Sequence, residues 1–173
     1  EVASKCLNNV GRTFIENYSP NDFPKRMAQS TLQGPGVDAL KDATTKGQAI
    51  ILVTGHFGNY EATRAALVAS GYKFGGLYRN MKNPYFNPHY VKTMEFAGPM
   101  FAQGRKGTAG FVRHLKGGGH LVLLFDQHVQ FAPILDFMGE PARTALSAAE
   151  LALRYDALLI PFYGIRQPDG LSF

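Results

Sequence analysis

The sequence has only one cysteine, no long apolar run and few acids in its middle part. Because Cys6 has no partner, an internal disulfide and a cysteine-rich zinc site are both excluded, and a reducing compartment suits the chain. No stretch approaches the ~20 apolar residues that a membrane-spanning helix needs, and no signal peptide is visible. These absences favour a globular domain held together by its apolar core.

The positive charge is concentrated in one segment. Residues 62–125 contain nine Lys or Arg and one acid, Glu95, so this segment carries +8 while the whole chain of 173 residues carries +5. Such a segment favours phosphates, nucleic acid or anionic lipid headgroups as partners, and scattered solvated lysines would explain it equally well. The length suits a single domain that buries roughly 70% of its unfolded surface.

Strand-like and helix-like segments alternate along most of the chain. Apolar runs predict strands at 49–54, 72–78, 100–103, 120–125 and 157–163, and the segments at 59–70, 85–97, 108–116 and 147–155 predict helices. The pattern predicts an α/β fold with a mixed, mostly parallel central sheet flanked by helices. We expect an N-terminal helical segment at 1–46 and an α/β core at 47–173. The start at Glu1 and the strand-like end at 171–173 predict a chain truncated at both ends.

The residues that follow each predicted strand are polar, and ligands bind beyond the carboxyl ends of strands in open α/β sheets. His56 follows the first strand, and Glu61 lies in the first turn of the next helix, from which it can reach back. A carboxylate bound to an imidazole fixes its tautomer and makes the other ring nitrogen a better base. For this HxxxxE pattern alone, a structural histidine beside a capping glutamate remains the commoner outcome.

Other segments carry weaker signals. Zinc-protease spacing of the histidines is absent, so we expect no metal. The turn at 104–108 resembles a phosphate-binding turn, with Thr108 as the expected N-cap of the next helix. Asp126 follows a buried strand, where an acid usually binds a backbone N–H or an arginine. The apolar segment 131–139 has neither helical nor strand periodicity, and it either covers the core or lines an apolar cleft.

Taken together, these motifs resemble a known family, the bacterial lipid A late acyltransferases, which include the lauroyl and myristoyl transferases of lipopolysaccharide synthesis. They form part of the lysophospholipid acyltransferase group with the HxxxxD/E signature. The resemblance rests on six blocks that occur in the family's order, namely GHFGNYE, LYRNMKNPYFN, GRKGTAGFVRHLKGGG, LLFDQH, DFMGEPARTALSAAELALRY and LIPFYG.

The resemblance implies an acyltransferase with no cofactor, in which His56 is the general base and Glu61 its orienting carboxylate. It implies acyl-acyl carrier protein as donor, an anionic glycolipid as acceptor and the cytoplasmic face of the inner membrane as location, without nucleic acid. The implied substrate-binding side chains shape the site, hold phosphate, sugar acid or the oxyanion, or hold the site's arginines: Asn59, Asn83, Arg79, Arg105, Asp126 and Gln127. The apolar residues 131–138 are expected to contribute to the acyl groove.

Three alternatives stay open at this point. A glycerolipid or other lysolipid acyltransferase would use the same dyad with a different acceptor, and a thioester hydrolase would use water. A non-catalytic module that binds anionic lipid through the basic segment would need neither His56 nor Glu61. The sequence departs from the family in lacking the usual N-terminal anchoring helix, and in carrying Tyr60 where relatives often have Trp.

Overall fold

The computed structural model describes all 173 residues, as a five-stranded parallel sheet flanked by helices and a small antiparallel hairpin. The seven helices are α1 (Val2–Asn17), α2 (Phe23–Met27), α3 (Gly36–Thr45), α4 (Tyr60–Ala69), α5 (Asn87–Glu95), α6 (Arg105–Lys116) and α7 (Ser147–Tyr155). The seven strands are β1 (Ile50–Thr54), β2 (Phe74–Tyr78), β3 (Met100–Ala102), β4 (His120–Leu124), β5 (Ile134–Phe137), β6 (Glu140–Arg143) and β7 (Leu158–Pro161). The predicted α/β fold with its mostly parallel central sheet is confirmed. None of the helices combines the length and the apolar character that crossing a membrane would require.

The central sheet has the order β3-β2-β4-β1-β7, so β1 lies between β4 and β7. Every residue of β1 is buried. Ile50 and Leu52 pack on one face in a cluster with residues of α3 and α4, while Ile51 and Val53 pack on the other face with α6. Because successive side chains of a strand point to opposite faces, a strand covered on both sides needs the continuous apolar run that the sequence shows.

Helix α4, which follows β1, is buried on nearly all sides. One side faces the sheet, and the other packs on α2, where Phe23 and Met27 contact Ala62 and Ala65. Its small alanine side chains let the neighbouring elements approach closely. The first turn of this helix is therefore fixed from two directions, and the first turn borders the carboxyl edge of the sheet.

Three local predictions were wrong. Helix α6 begins at Arg105 rather than after a Thr108 cap, because Gly104 adopts a φ of 126° and turns the chain into the helix three residues after β3. Segment 131–139 was expected to cover the core or line a cleft, but all its residues except Ala132 are exposed, and it forms β5 and a two-residue hairpin turn in which Met138 and Gly139 have positive φ. Residues 171–173 form no strand, because Asp169 accepts hydrogen bonds from backbone N–H groups there and makes a turn.

Candidate active site at the carboxyl edge of the sheet

The parallel register of β1 and β4 brings His56 and Asp126 together. Thr54 pairs with Leu124, so the second residue after each strand reaches the same position at the carboxyl edge. His56 Nδ1 lies 2.8 Å from Asp126 Oδ1, and the backbone N–H of His56 donates to Asp126 Oδ2 at 2.6 Å. A Cβ on Gly55 would lie 2.8 Å from that same oxygen, so a larger residue at position 55 would disturb the pair.

The charge of Asp126 decides which nitrogen of His56 can act as a base. Burial alone would raise the pKa of Asp126, but the hydrogen bonds from the ring and backbone of His56 outweigh burial and hold this pKa below its ordinary value. An ionised Asp126 accepts a hydrogen bond, so Nδ1 carries the proton and the lone pair is on Nε2. The amide nitrogen of Gln127 lies 3.5 Å from Nε2, which is a long contact. Nε2 is therefore placed to accept a proton from a bound hydroxyl.

Glu61 has a different partner from the one expected. Both of its carboxylate oxygens accept from Arg64 Nη1 at 2.8 Å, and the two side chains are 8% and 3% exposed. Arg64 Nη2 also donates to the backbone carbonyl groups of Phe74 and Met94, which ties α4 to β2 and α5. The carboxylate that contacts His56 is that of Asp126, because the register of β1 and β4 brings it there and the Arg64 ion pair engages Glu61. The catalytic roles of His56 and Glu61 stay predictions.

Asn59 lies between His56 and Glu61 in the sequence, and it is fully buried. Its side-chain oxygen accepts from the N–H of Glu61 at 3.0 Å and so caps α4. Its amide nitrogen donates to Glu16 on α1 at 2.8 Å, and Glu16 also accepts from both Nη atoms of Arg166. Neither Glu16 nor Arg166 was among the expected site residues, because a single acid on a polar helix and one arginine after the last strand give no specific signal.

Two arginines that were expected to bind substrate follow two other strands at the carboxyl edge of the sheet. Arg79 follows β2 and Arg105 follows β3, two and three strands from β1, or ~10 and ~14 Å along the sheet. Both side chains are exposed and form no salt bridge, and neither contacts Asp126. The expectation that Asp126 and Gln127 hold these arginines was wrong, because both side chains face His56.

Asn83 has a local structural contact. Its side-chain oxygen accepts from the backbone N–H groups of Tyr85 and Phe86, which orders the turn before α5. Lys82 on the same loop and Lys106 beside Arg105 are also exposed and unpaired in any salt bridge. The carboxyl edge thus presents four free cations outside the His56–Asp126 pair. Nowhere do three or more His, Cys, Asp and Glu side chains gather closely enough to hold a metal ion.

A cavity of about 1060 Å³ opens beside His56. Its wall is mostly carbon surface, and its volume is at the upper end of the range of small-molecule sites. The lining comes from α1, from the start of α4, from α5 and from the segment after β7, and it includes Val10, Phe14, Phe57, Tyr60, Glu61, Tyr90, Met94, Phe96 and Ile165. None of residues 131–138 borders this cavity, and their expected part in an acyl groove stays a prediction.

Tyr60 connects the cavity with His56. The two rings lie edge to face, with centroids 5.7 Å apart. Burial, and secondly the charge of Glu61, raise the pKa of Tyr60 well above its ordinary value, and burial raises that of Tyr90 in the same way. Both phenols therefore stay neutral hydrogen-bond donors in a wall that also carries charged side chains such as Glu61 and Lys92.

A family model described as bacterial lipid A biosynthesis acyltransferase matches residues 1–173, which is the whole chain. A search of curated proteins gives no significant match.

Proposed function

The chain belongs to the bacterial lipid A biosynthesis acyltransferase family, and from this premise we propose that it transfers a fatty acyl group from acyl-acyl carrier protein to a hydroxyl of a lipid A precursor. Membership makes it an enzyme of acyl transfer in lipid A synthesis. The donor, the acceptor hydroxyl and the residue roles below belong to the proposal. The observation that carries it is the His56–Asp126 pair at the opening of a large apolar cavity.

In the proposed reaction, Nε2 of His56 removes the proton of the acceptor hydroxyl while the oxygen attacks the thioester carbonyl carbon. The tetrahedral intermediate collapses, the carbon–sulfur bond breaks, and the imidazolium returns the proton to the leaving sulfur. The products are an ester and the free thiol of the carrier protein. Asp126 holds His56 in the tautomer with the proton on Nδ1 and stabilises the imidazolium. A general base such as His56 typically contributes a factor of 10²–10⁴ in rate.

The cavity beside His56 suits the acyl chain of the donor. A fatty chain offers only carbon surface, and side chains such as Phe14, Met94 and Phe96 offer the same along the wall. Burial of a chain contributes ~0.8 kcal/mol per CH₂ group. The thioester would lie at the His56 end, because the reacting carbon must come within reach of Nε2.

The four free cations suit the anionic acceptor. Arg79, Lys82, Arg105 and Lys106 lie outside the cavity lining, and parallel strands put the ends of β2 and β3 at the same edge as His56. Arginine binds phosphate through paired N–H groups, and lysine binds it as a point charge. We place the reaction at the cytoplasmic face of the inner membrane, where the same cations would also face anionic headgroups.

The test is acyl transfer from labelled acyl-acyl carrier protein by wild type and by His56→Ala. We expect the lipid A precursor to be acylated and the variant to lose roughly 10² or more of the rate. Preference for lysophosphatidic acid would indicate a glycerolipid acyltransferase, and release of free fatty acid without any acceptor would indicate a thioester hydrolase. Equal transfer by His56→Ala, or lipid binding without transfer, would contradict the assignment of His56 as the base.

A further inference from the structure

The carboxylate of Glu16 joins three separate segments of the chain. It accepts from the amide of Asn59 in the loop after β1 and from the guanidinium of Arg166 in the segment after β7. Glu16 is only 5% exposed, and Asn59 is fully buried. Burial opposes ionisation, but the hydrogen bonds from Arg166 and Asn59 outweigh it, so the pKa of Glu16 lies below its ordinary value.

Helix α1 depends on this contact for its position. Glu16 is its only buried residue, although the helix is 16 residues long. The other tethers of the helix to the segment after β7 are also polar: Arg12 donates to the carbonyl of Gly170 at 3.0 Å, and Arg166 Nε donates to Asn9 at 3.3 Å. The apolar side chains Val10 and Phe14 point into the cavity instead of the core. Polar contacts therefore hold a helix whose apolar side is a cavity wall.

The same carboxylate also supports the loop that carries His56. Asn59 follows His56 by three residues and caps α4 through its other amide atom. In Glu16→Gln one of the two acceptor oxygens becomes an amide N–H₂ group, so one of the donors of Asn59 and Arg166 loses its acceptor, and Arg166 loses its counter-charge. The α1 wall would then lose its fixed reference point, whereas the loop keeps the Asn59 cap on α4 and the contact between His56 and Asp126.

We propose that Glu16 is a positioning residue that sets the α1 wall of the cavity relative to His56 and so makes acyl transfer depend on the length of the acyl chain. The proposal rests on the proposed function in assigning the cavity to the acyl chain. A long chain contacts the α1 wall over many carbons, whereas a short chain stays near His56. Loosening of α1 should therefore weaken long donors more than short ones.

The experiment compares Glu16→Gln with wild type, using butanoyl and dodecanoyl acyl carrier protein as donors. Hydrogen bonds to charged groups contribute enough that losing one changes an equilibrium about 10-fold or more. We expect KM for the dodecanoyl donor to rise about 10-fold, with a change of less than about 3-fold for the butanoyl donor. Asp42→Asn is the matched control, because it breaks an exposed acid–lysine pair on α3, far from the cavity, and should change neither value.

Glu16→Asp covers the case in which the glutamine variant does not fold. It keeps the charge but shortens the side chain by one CH₂, so it should show the same preference for short donors to a smaller degree. Equal losses for both donors would overturn the proposal, since a purely structural role lowers transfer irrespective of chain length. No loss in either variant would overturn it too, because Glu16 would then not position the wall.

Cys6 gives a readout that needs no transfer activity. It is the only cysteine, it is exposed, and it lines the cavity on α1. Dodecanoic acid should slow its labelling by a thiol reagent in wild type and protect it less in Glu16→Gln and Glu16→Asp. If wild type transfers no acyl group but this difference appears, the proposed function fails and the positioning role stands. If protection is equal in all three proteins, the positioning role fails.

Discussion

The buried ion pair between Glu61 and Arg64 makes it possible to test whether Glu61 has a structural or a catalytic role. In Glu61→Gln, the Arg64 guanidinium keeps its charge at 3% exposure but loses the carboxylate that binds it at 2.8 Å. Removing one partner of a buried pair costs about 3–5 kcal/mol. For a chain of this length, 1 kcal/mol shifts Tm by about 2–4 °C, so we expect Tm to fall by about 6–20 °C.

Replacing both partners should recover most of this loss. In Glu61→Leu with Arg64→Met no charge is left buried, and such exchanges are often neutral. Recovery will be incomplete, because the carbonyl groups of Phe74 and Met94 lose the Arg64 donor. We expect the double variant to be more stable than Glu61→Gln by at least about 1 kcal/mol in thermal unfolding followed by circular dichroism.

The activity of the double variant then tests the role of Glu61. If Glu61 acts by holding α4 in place, transfer measured below both Tm values should return to within about 10-fold of wild type. A folded double variant that remains about 10²-fold or more below wild type would refute this reasoning. Glu61 would then act on His56 or on a substrate, and the orienting role given to Asp126 would have to be shared or withdrawn.

The remaining predictions concern the other charged groups. Asp126→Asn should lower kcat about 10²–10⁴-fold in the transfer assay. It should shift Tm by less than about 4 °C, because the half-exposed pair of His56 and Asp126 adds little stability. An unchanged kcat would contradict the orienting role of Asp126. Since the pKa of Glu16 is lowered, its stabilisation is present above its unfolded pKa of about 4.3 and is lost as pH falls through the folded value. Unfolding free energies of wild type and Glu16→Gln should therefore converge in acid, and a constant difference would count against the ion pair. Arg79→Ala and Arg105→Ala should each raise KM for the phosphorylated acceptor about 10-fold and leave KM for the donor unchanged. Lys46 is an exposed cation near the amino end of β1, at the opposite edge of the sheet from His56, and Lys46→Ala should change neither KM.

The order and type of the main elements could be predicted from the amino-acid sequence alone. Short apolar runs such as 50–54 favour strands buried on both faces, and the alternation with helices makes a parallel sheet the simple solution. It also indicated where a site should be, because side chains that follow parallel strands gather at one edge. His56 and Asp126 were both named on that ground.

Which of these side chains contact each other depends on long-range packing. Glu61 is five residues from His56 and Asp126 is 70, yet the register of β1 and β4 brings Asp126 to the imidazole while Arg64 engages Glu61. Strand order and register depend on packing across the whole sheet, and no local pattern encodes them.

The cavity and the Glu16 contact also depend on long-range packing. Chain segments more than 100 residues apart supply Glu16 and Arg166, and the cavity wall comes from α1 and α5 rather than from the apolar segment 131–138. Apolar composition shows that a side chain avoids water, but it does not show which surface covers it. The sequence thus determined the elements and the edge that carries the site, and long-range packing determined the partners within it.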